Sequence, residues 1–315
     1  MAASIDVVVL AYNGWELTAS CLRHLAAQTA PHTVIVVDNG STDETPHVLA
    51  REFPGVRLVR LDRNHAFTRA VNIGVAAGEG EVVVLLNNDV DLDPDCLEQL
   101  TAPLEQDDAV GAVATVMLTP GRKRIDSAGV TTDVILSGFA RLQGRDPAAA
   151  AEPEPVLTGP EGTAAAYRRS AWEQVEGLDE TMSAYMEILD LAWRLRSAGW
   201  RAALAPGARG VHLGSATFGS GSPLQRRLAG FSRGYLLRRY GVMRSRWALR
   251  AAVTEATVML ADAAARRDLQ ATRGRLEGWR AARGLPRHPR PPADAIDSSI
   301  GFRASLALRR RAHGD

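Results

Sequence analysis

Cysteine is nearly absent from this chain of 315 residues, with Cys21 and Cys96 the only two. They stand far apart and in no metal-ligand spacing, which argues against a disulfide framework and a cysteine-bound metal and fits a reducing cytosol. No apolar run reaches the ~18 residues that a membrane-spanning helix needs. The best candidate, "AAVTEATVMLADAAA", is interrupted by Glu255 and Asp262. The first residues hold no basic segment followed by an apolar run, so no secretory signal is expected. Two nucleotide signatures are also missing. No Gly-x-Gly-x-x-Gly follows the first apolar run and no Walker lysine loop occurs, which weighs against dinucleotide binding and ATP hydrolysis.

What remains is an ordinary globular composition, 46% hydrophobic and 23% charged, long enough for one large domain or two modest ones. The net charge of +1 conceals an asymmetry. Residues 225–315 carry 20 Arg and Lys against 7 Asp and Glu, while residues 1–224 carry 17 against 29. An acidic front and a basic tail imply two surfaces with different tasks.

The front half alternates β-branched runs with helical patterns. "IDVVVLAY", "HTVIVVDNGS", "VRLVRLD" and "EVVVLLNNDVDL" read as strands; "GWELTASCLRHLAAQ", "STDETPHVLAREF" and "AFTRAVNIGVAAG" read as helices, the second capped by Ser41 or Thr42. Strands this apolar, separated by helices, predict a mostly parallel sheet covered on both faces. Ligands of such sheets bind beyond the carboxyl ends of the strands, and polar residues gather there: Tyr12 and Asn13, Asp38 and Asn39, Asn64, Asn87 and Asp89. Residues 115–165 read as a loop-rich cover, and from 225 the chain reads as Arg-rich helices broken by "LPRHPRPP".

Two stretches invite chemistry. In "LLNNDVDL", a carboxylate at the tip of a buried strand suits a hard divalent ion that also accepts diphosphate oxygens; capping a turn is the plainer role, which we assign to Asp93 before Pro94. In "AYMEILDLAWRLR", Glu187 and Asp190 fall on one helical face. They read either as an acid cluster or as solvated acids of an amphipathic helix.

The segments "VVVLAYNG", "CLRHLAAQT", "VIVVDNGSTDET", "NHAFTRAVNIGVAAGEGEVVVLLNNDV", "GLDETM", "EILDLAWRLRSAGWRAALAP" and "VHLGSATFG", in this order over about two thirds of the chain, resemble family 2 glycosyltransferases of the GT-A fold, in the rhamnosyl- and galactofuranosyltransferase-like bacterial branch. The resemblance implies a Rossmann-like, mostly parallel α/β sheet flanked by helices, here with a basic helical extension. It assigns Ala11, Tyr12, Asn13, Asp38, Asn64, Asn87 and Asn88 to the nucleotide-sugar site and Asp89 and His212 to an Mg²⁺ or Mn²⁺ ion. Asn87-Asn88-Asp89 matches the family's Asp-x-Asp. In the segment resembling the family's "EDxDLxWRL", Ile188 replaces the acid usually assigned as base; isoleucine accepts no proton, which leaves Glu187, or Asp190 or Asp179, to serve. The alternative is a nucleotide-sugar-binding protein inactive because of Ile188. A nucleotidyltransferase is disfavoured, since no Gly-rich, Lys- or Arg-bearing loop follows the first strand. Trp193 and Trp200 fit helix-packing spacing, and Ala66 stands where the family usually has glycine.

The expected division is a glycosyltransferase domain over 1–224 and an Arg-rich helical region over 225–315. The expected activity is inverting sugar transfer from a dTDP- or UDP-sugar to a glycan, lipid-linked or small-molecule hydroxyl, in cell-surface glycan or secondary-metabolite glycoside synthesis. The expected location is the cytoplasm, with peripheral contact to an anionic inner membrane face. The tail's few aromatics and lack of a known motif weigh against nucleic acid. Its arginines, alternating with Leu, Tyr, Phe and Trp, suit either that membrane surface or the outside of helices packed on the catalytic domain or a second subunit.

Overall fold

The computed structural model describes residues 3–152, 155–214 and 222–311; the "SATFG" end of "VHLGSATFG" and residues 153–154 of the loop-rich cover lie outside them. The front half forms β1 (Ile5–Ala11), α1 (Trp15–Ala26), β2 (Thr33–Asp38), α2 (Thr45–Glu52), β3 (Arg57–Arg60), α3 (Phe67–Ala76), β4 (Val82–Asn87), β5 (Val90–Leu92) and α4 (Cys96–Gln106). The middle supplies β6 (Val110–Leu118), β7 (Ile125–Ser127), β8 (Val130–Thr132), β9 (Gly138–Ala140), β10 (Ala164–Arg168), α5 (Arg169–Gln174), α6 (Glu187–Ser197) and β11 (Arg201–His212). Four helices close the chain: α7 (Pro223–Arg239), α8 (Ala248–Arg266), α9 (Gln270–Ala281) and α10 (Phe302–Arg311).

The main sheet runs β3-β2-β1-β4-β10-β6-β11-β5, with β7 beside β6. The first four strands are mutually parallel. β10 then enters antiparallel to both β4 and β6. Successive side chains of a strand point to opposite faces, and here both faces are apolar. Val7, Val9, Val36, Val84 and Leu86 join the core beneath α1 and α4. Val8, Ile35, Val37, Val83 and Leu85 join the one beneath α3, α5 and α6.

Several expectations need correction. "EVVVLLNNDVDL" is two strands: the chain leaves β4 after Asn87, and β5 pairs antiparallel with β11. Residues 115–165 are more regular than a cover loop, because β6 is a fully buried central strand. Neither Ser41 nor Thr42 caps α2, whose first turn begins after Glu44. Ala66 is unstrained, with φ −55 and ψ 143. Trp193 is a core residue as expected; its indole donates to Thr132 Oγ1 at 3.0 Å.

The arginine-rich helices share a core with α6 and the β8–β9 hairpin, built from Ile135, Leu189, Trp193, Tyr235 and Tyr240 among others. α7 and α9 run parallel in backbone contact. A Cβ on Gly234 would overlap the carbonyl of Arg275, and one on Gly278 that of Phe231. Behind this pair, Glu255 of α8 is buried among arginines, 2.8 Å from Arg233 Nε, 3.0 Å from Arg275 Nε and 3.5 Å from Arg309. Burial alone would raise its pKa, but Arg233, Arg309 and Arg275 outweigh that and hold the carboxylate at about 2. Part of the basic tail's charge is therefore spent inside. Glu255→Ala strands buried guanidinium groups and should cost about 3 kcal/mol, read as a lower midpoint in urea or thermal unfolding.

Candidate active site

The parallel block ends at one edge. After β1, Asn13 takes a left-handed conformation (φ 53), its N–H donating to Ser41 Oγ at 2.8 Å and its side-chain oxygen accepting from Thr42 N at 2.9 Å. The two strand-end loops are thereby tied together. Ala11 is buried, its carbonyl accepting from Asn39 N, so it shapes the floor; Tyr12 stands exposed above it. The Asn39 amide donates to Asn64 Oδ1 at 2.9 Å, joining the third loop. Asp38 is fully buried at the tip of β2. Its Oδ1 accepts from Ser41 N at 3.0 Å. Its Oδ2 has no hydrogen-bond partner, with Arg60 Nε 3.5 Å away. A buried carboxylate oxygen left this way is costly unless a ligand donor reaches it.

Beyond β4 the Asn88 amide turns to α1, donating to Thr18 Oγ1 at 3.0 Å. Asn87 remains half-buried at the strand tip. Asp89 is buried and meets the last residue of β11, His212, whose Nε2 lies 3.3 Å from Asp89 Oδ2. The other ring nitrogen, Nδ1, lies 2.8 Å from Asp126 Oδ2 on β7. The β5–β11 pairing that opposes His212 to Val90 fixes this meeting. Burial would lower the His212 pKa, but hydrogen bonds to Asp126 and Asp89 outweigh it and push it to about 10. Asp126 had no signal in the sequence: it sits in a three-residue strand.

Among the described residues no three acidic, His or Cys side chains form a self-sufficient metal cage. Asp126 engages the far nitrogen of His212 and cannot share one ion with Nε2. The donor set nevertheless fits a hard ion that takes most of its oxygens from water and diphosphate, with Asp89 and His212 Nε2 as its protein ligands. A carboxylate on the distal nitrogen is the usual support of a ligating histidine.

Glu187 opens α6 after two successive left-handed residues, Tyr185 (φ 67) and Met186 (φ 65), a conformation costing L-residues about 1 kcal/mol each or more. It lies beside the β4 tip. Asn87 N donates to Thr163 O at 2.9 Å, Glu161 accepts from Thr163 N at 2.9 Å, and the charge of Glu161 is felt at Glu187. One Glu187 carboxylate oxygen, Oε2, is buried without a hydrogen-bond partner. Burial is the main cause that raises its pKa, to about 7; its own backbone N–H opposes this, and the charges of Glu161 and Asp190 add to it. Glu161 is a second residue that the sequence reading missed.

The other acids do not join Glu187. Asp190 is fully buried and accepts from Arg194 Nε of its own helix at 2.7 Å and from Tyr240 Oη, just past α7, at 2.8 Å, so both oxygens are engaged. Asp179 accepts from Tyr235 Oη at 2.7 Å; burial would raise its pKa, yet this bond and those to Thr181 lower it, which makes a poor base. Ile188 packs into the core against Gly162. Helical rotation turns position 188 into the core and leaves position 187 half-buried.

Comparison with known proteins places the chain in a family. The family model described as glycosyl transferase family 2 matches residues 6–175. An N-acetylglucosaminyl-diphospho-decaprenol L-rhamnosyltransferase of Mycobacterium tuberculosis is 31% identical over 235 residues, 67% of this chain and 76% of that protein. The O-antigen biosynthesis protein RfbC of Myxococcus xanthus is 30% identical over 236 residues, 68% of this chain but 17% of that much longer protein. Among solved structures, a mannosyltransferase from Pyrobaculum calidifontis in complex with GDP-Man and Mn²⁺ covers 98% of this chain and 85% of its own at a TM-score of 0.56 and 22% identity, a likeness of fold. The alternative of a binding protein without transferase activity finds no support in these relatives.

With no ion bound, the His212 ion pairs contribute stability that is present in full below pH 6.5 and lost as pH rises through about 10. Asp126→Asn removes one of the two acids. The His212 ring pKa, followed by NMR, should then fall by about one unit or more, and an unchanged value would show that Asp126 does not hold the ring.

Proposed function

Since the chain belongs to glycosyl transferase family 2, in its rhamnosyltransferase branch, and is a glycosyltransferase of GT-A fold, we propose that it transfers a deoxyhexosyl or hexosyl group, L-rhamnose first, from a dTDP- or UDP-sugar to a hydroxyl of a lipid-diphosphate-linked acceptor, with inversion at the anomeric carbon. The observation that carries this reading is the meeting of His212 Nε2 with Asp89 Oδ2, 3.3 Å apart just beyond the tip of β4. Residues 1–224 carry the chemistry and residues 225–315 brace α6. The protein works in the cytoplasm at the inner membrane face. Among the described residues no helix is long and apolar enough to cross a membrane, which fits peripheral contact.

Each group has a task that its surroundings suit. Asp38 offers its Oδ2, which has no hydrogen-bond partner, to an N–H of the nucleobase, on a floor made by Ala11 and walled by Tyr12, Asn13 and Asn64. Asn87 bonds a ribose hydroxyl through its amide. Asn88 ties this loop to α1 and acts by position. Mg²⁺ or Mn²⁺, held through Asp89 and His212, would supply charge neutralisation to the departing diphosphate. Glu187 accepts the proton of the acceptor hydroxyl as its oxygen attacks the anomeric carbon, and a pKa near 7 sets it as a base at cellular pH. Asp190 positions α6 by anchoring Arg194 and Tyr240.

Thermal unfolding against a panel of nucleoside diphosphates and their sugars, with and without Mn²⁺, tests the donor site. A ligand at ~100 times its dissociation constant should add ~2.7 kcal/mol. Asp89→Ala should abolish the metal-dependent part of that shift and metal-dependent turnover. A donor shift that needs no metal in either protein would sink the Asp89–His212 assignment.

Glu187→Gln should lower kcat by about 10²–10⁴-fold with the donor shift intact. The wild-type rate should rise with pH through about 7 as Glu187 deprotonates, and the variant should lack that limb. A carboxyl whose pKa is raised in the fold destabilises the protein as pH climbs from about 4.5 through about 7. Above pH 7, Glu187→Gln should therefore melt no lower than wild type, and undiminished turnover would reject Glu187 as the base.

A further inference from the structure

α8 is built the reverse of an ordinary surface helix. Its inner side holds Ala251, Thr254 and Glu255, all buried. Its outer side holds Leu249, Ala252, Val253, Ala256, Leu260 and Ala264, all exposed, at the spacing of a single helical stripe. Leu249 is 79% exposed, Leu260 72% and Val253 46%. Isolated surface leucines are ordinary, but an uncharged stripe about 22 Å long is not. The two acids that interrupt this run stand seven residues apart, so they share the opposite side: Glu255 lies in the arginine cluster, and Asp262 is half-buried.

Exposed cations bracket the stripe, Arg244 and Arg246 before α8 and Arg266 and Arg267 after it. The neighbouring Asp268 is turned to Arg226. This charge pattern decides between occupants. Two copies meeting through α8 would set arginines against arginines in either direction: a parallel pair stacks like ends, and an antiparallel pair brings Arg244 and Arg246 against Arg266 and Arg267. No acid on the outer stripe offsets that repulsion. An anionic sheet of headgroups complements it at both ends.

We propose that the outer face of α8 seats on an anionic lipid bilayer, the helix lying in the plane of the interface with its apolar stripe at the upper acyl chains and its flanking arginines on headgroup phosphates. This deepens the membrane contact proposed above and rests on it. It also relocates that contact: α7, the richest in arginine and aromatics, buries Arg233, Arg239 and Tyr235 and cannot offer them to lipid.

The test is co-sedimentation of the full chain with vesicles of phosphatidylcholine alone or mixed with phosphatidylglycerol. Wild type should bind the mixed vesicles and bind the neutral ones far less. The pair Leu249→Gln and Leu260→Gln, both at exposed positions, should weaken binding about tenfold or more while the melting temperature and the nucleotide-induced shift stay as in wild type. Equal vesicle binding by wild type and variant would overturn α8 as the face and leave the membrane reading standing. Absence of binding by wild type to either vesicle would remove both. Equal binding to neutral and mixed vesicles would overturn the anionic partner. A wild-type dimer in light scattering that the pair of substitutions converts to monomer, with no vesicle binding, would assign the face to a second copy instead.

Discussion

A sheet buried on both faces can meet a ligand only at the ends of its strands, and here four parallel strands deliver their ends to one edge. That constraint organises the rest. Val7, Val9, Val36 and Val84 face one core while Val8, Ile35, Val37 and Val83 face the other, so a polar group enters along these strands only when fully paired, as Asp6 is by Arg169 and Gly80 N. The polar residues therefore collect in loops after β1, β2, β3 and β4; Asn13, Ser41, Asn39 and Asn64 bind the first three to each other, and Asn88 ties the fourth to α1. The parallel block alone makes a binding edge. The antiparallel additions bring further side chains to it: β10 sets Thr163, and with it Glu161, against Asn87, while the β5–β11 pair sets His212 against Asp89.

Burial and pairing separate acids that look alike in the chain. Glu187 and Asp190 are three residues apart on one helix, yet Asp190 has Arg194 and Tyr240 on its two oxygens, whereas Glu187 keeps an oxygen buried without a partner and its pKa rises to about 7. Neighbouring carboxyls driven apart in this way can take different roles. The same rule operates at His212, where two carboxylates outweigh burial and raise the ring's pKa, and at Glu255, where three guanidinium groups lower the acid's.

The parts of the fold legible in sequence were those with strong local signals. The apolar runs of β1, β2 and β4 and the periodic helices between them are legible, and so is the placing of polar residues just past the strand ends, because buried parallel strands follow directly from hydrophobic patterning. β6, "VGAVATVML", and β11 escaped notice, since alanine- and glycine-rich strands lack the β-branched density that marked the others. The break between β4 and β5 was hidden by an apolar run that continues through a change of partner. Asp89 and His212 could be paired only through the family resemblance. Asp126 and Glu161 sit in short segments with no periodicity, and their relation to His212 and Glu187 exists only in three dimensions. The arginines of the tail were read as surface charge, but a buried acid such as Glu255 turns several of them inward, and nothing in the local pattern of "AAVTEATVML" announces which side of the helix its glutamate will face.

The backbone-level contact of α7 and α9 carries a topological debt. Two parallel helices cannot be joined by a turn; the chain must travel back along the whole pair before starting the second, as a crossover does between parallel strands. α8 is that return stroke. Its length is dictated by the helices it serves, and its inner side is committed to the glutamate that neutralises their arginines. Among the described residues, its outer side is covered by nothing. Connectivity alone thus hands the molecule a helix with one exposed face, so that surface could acquire or change its affinity through substitutions that leave both the strand-end edge and the helix pair untouched.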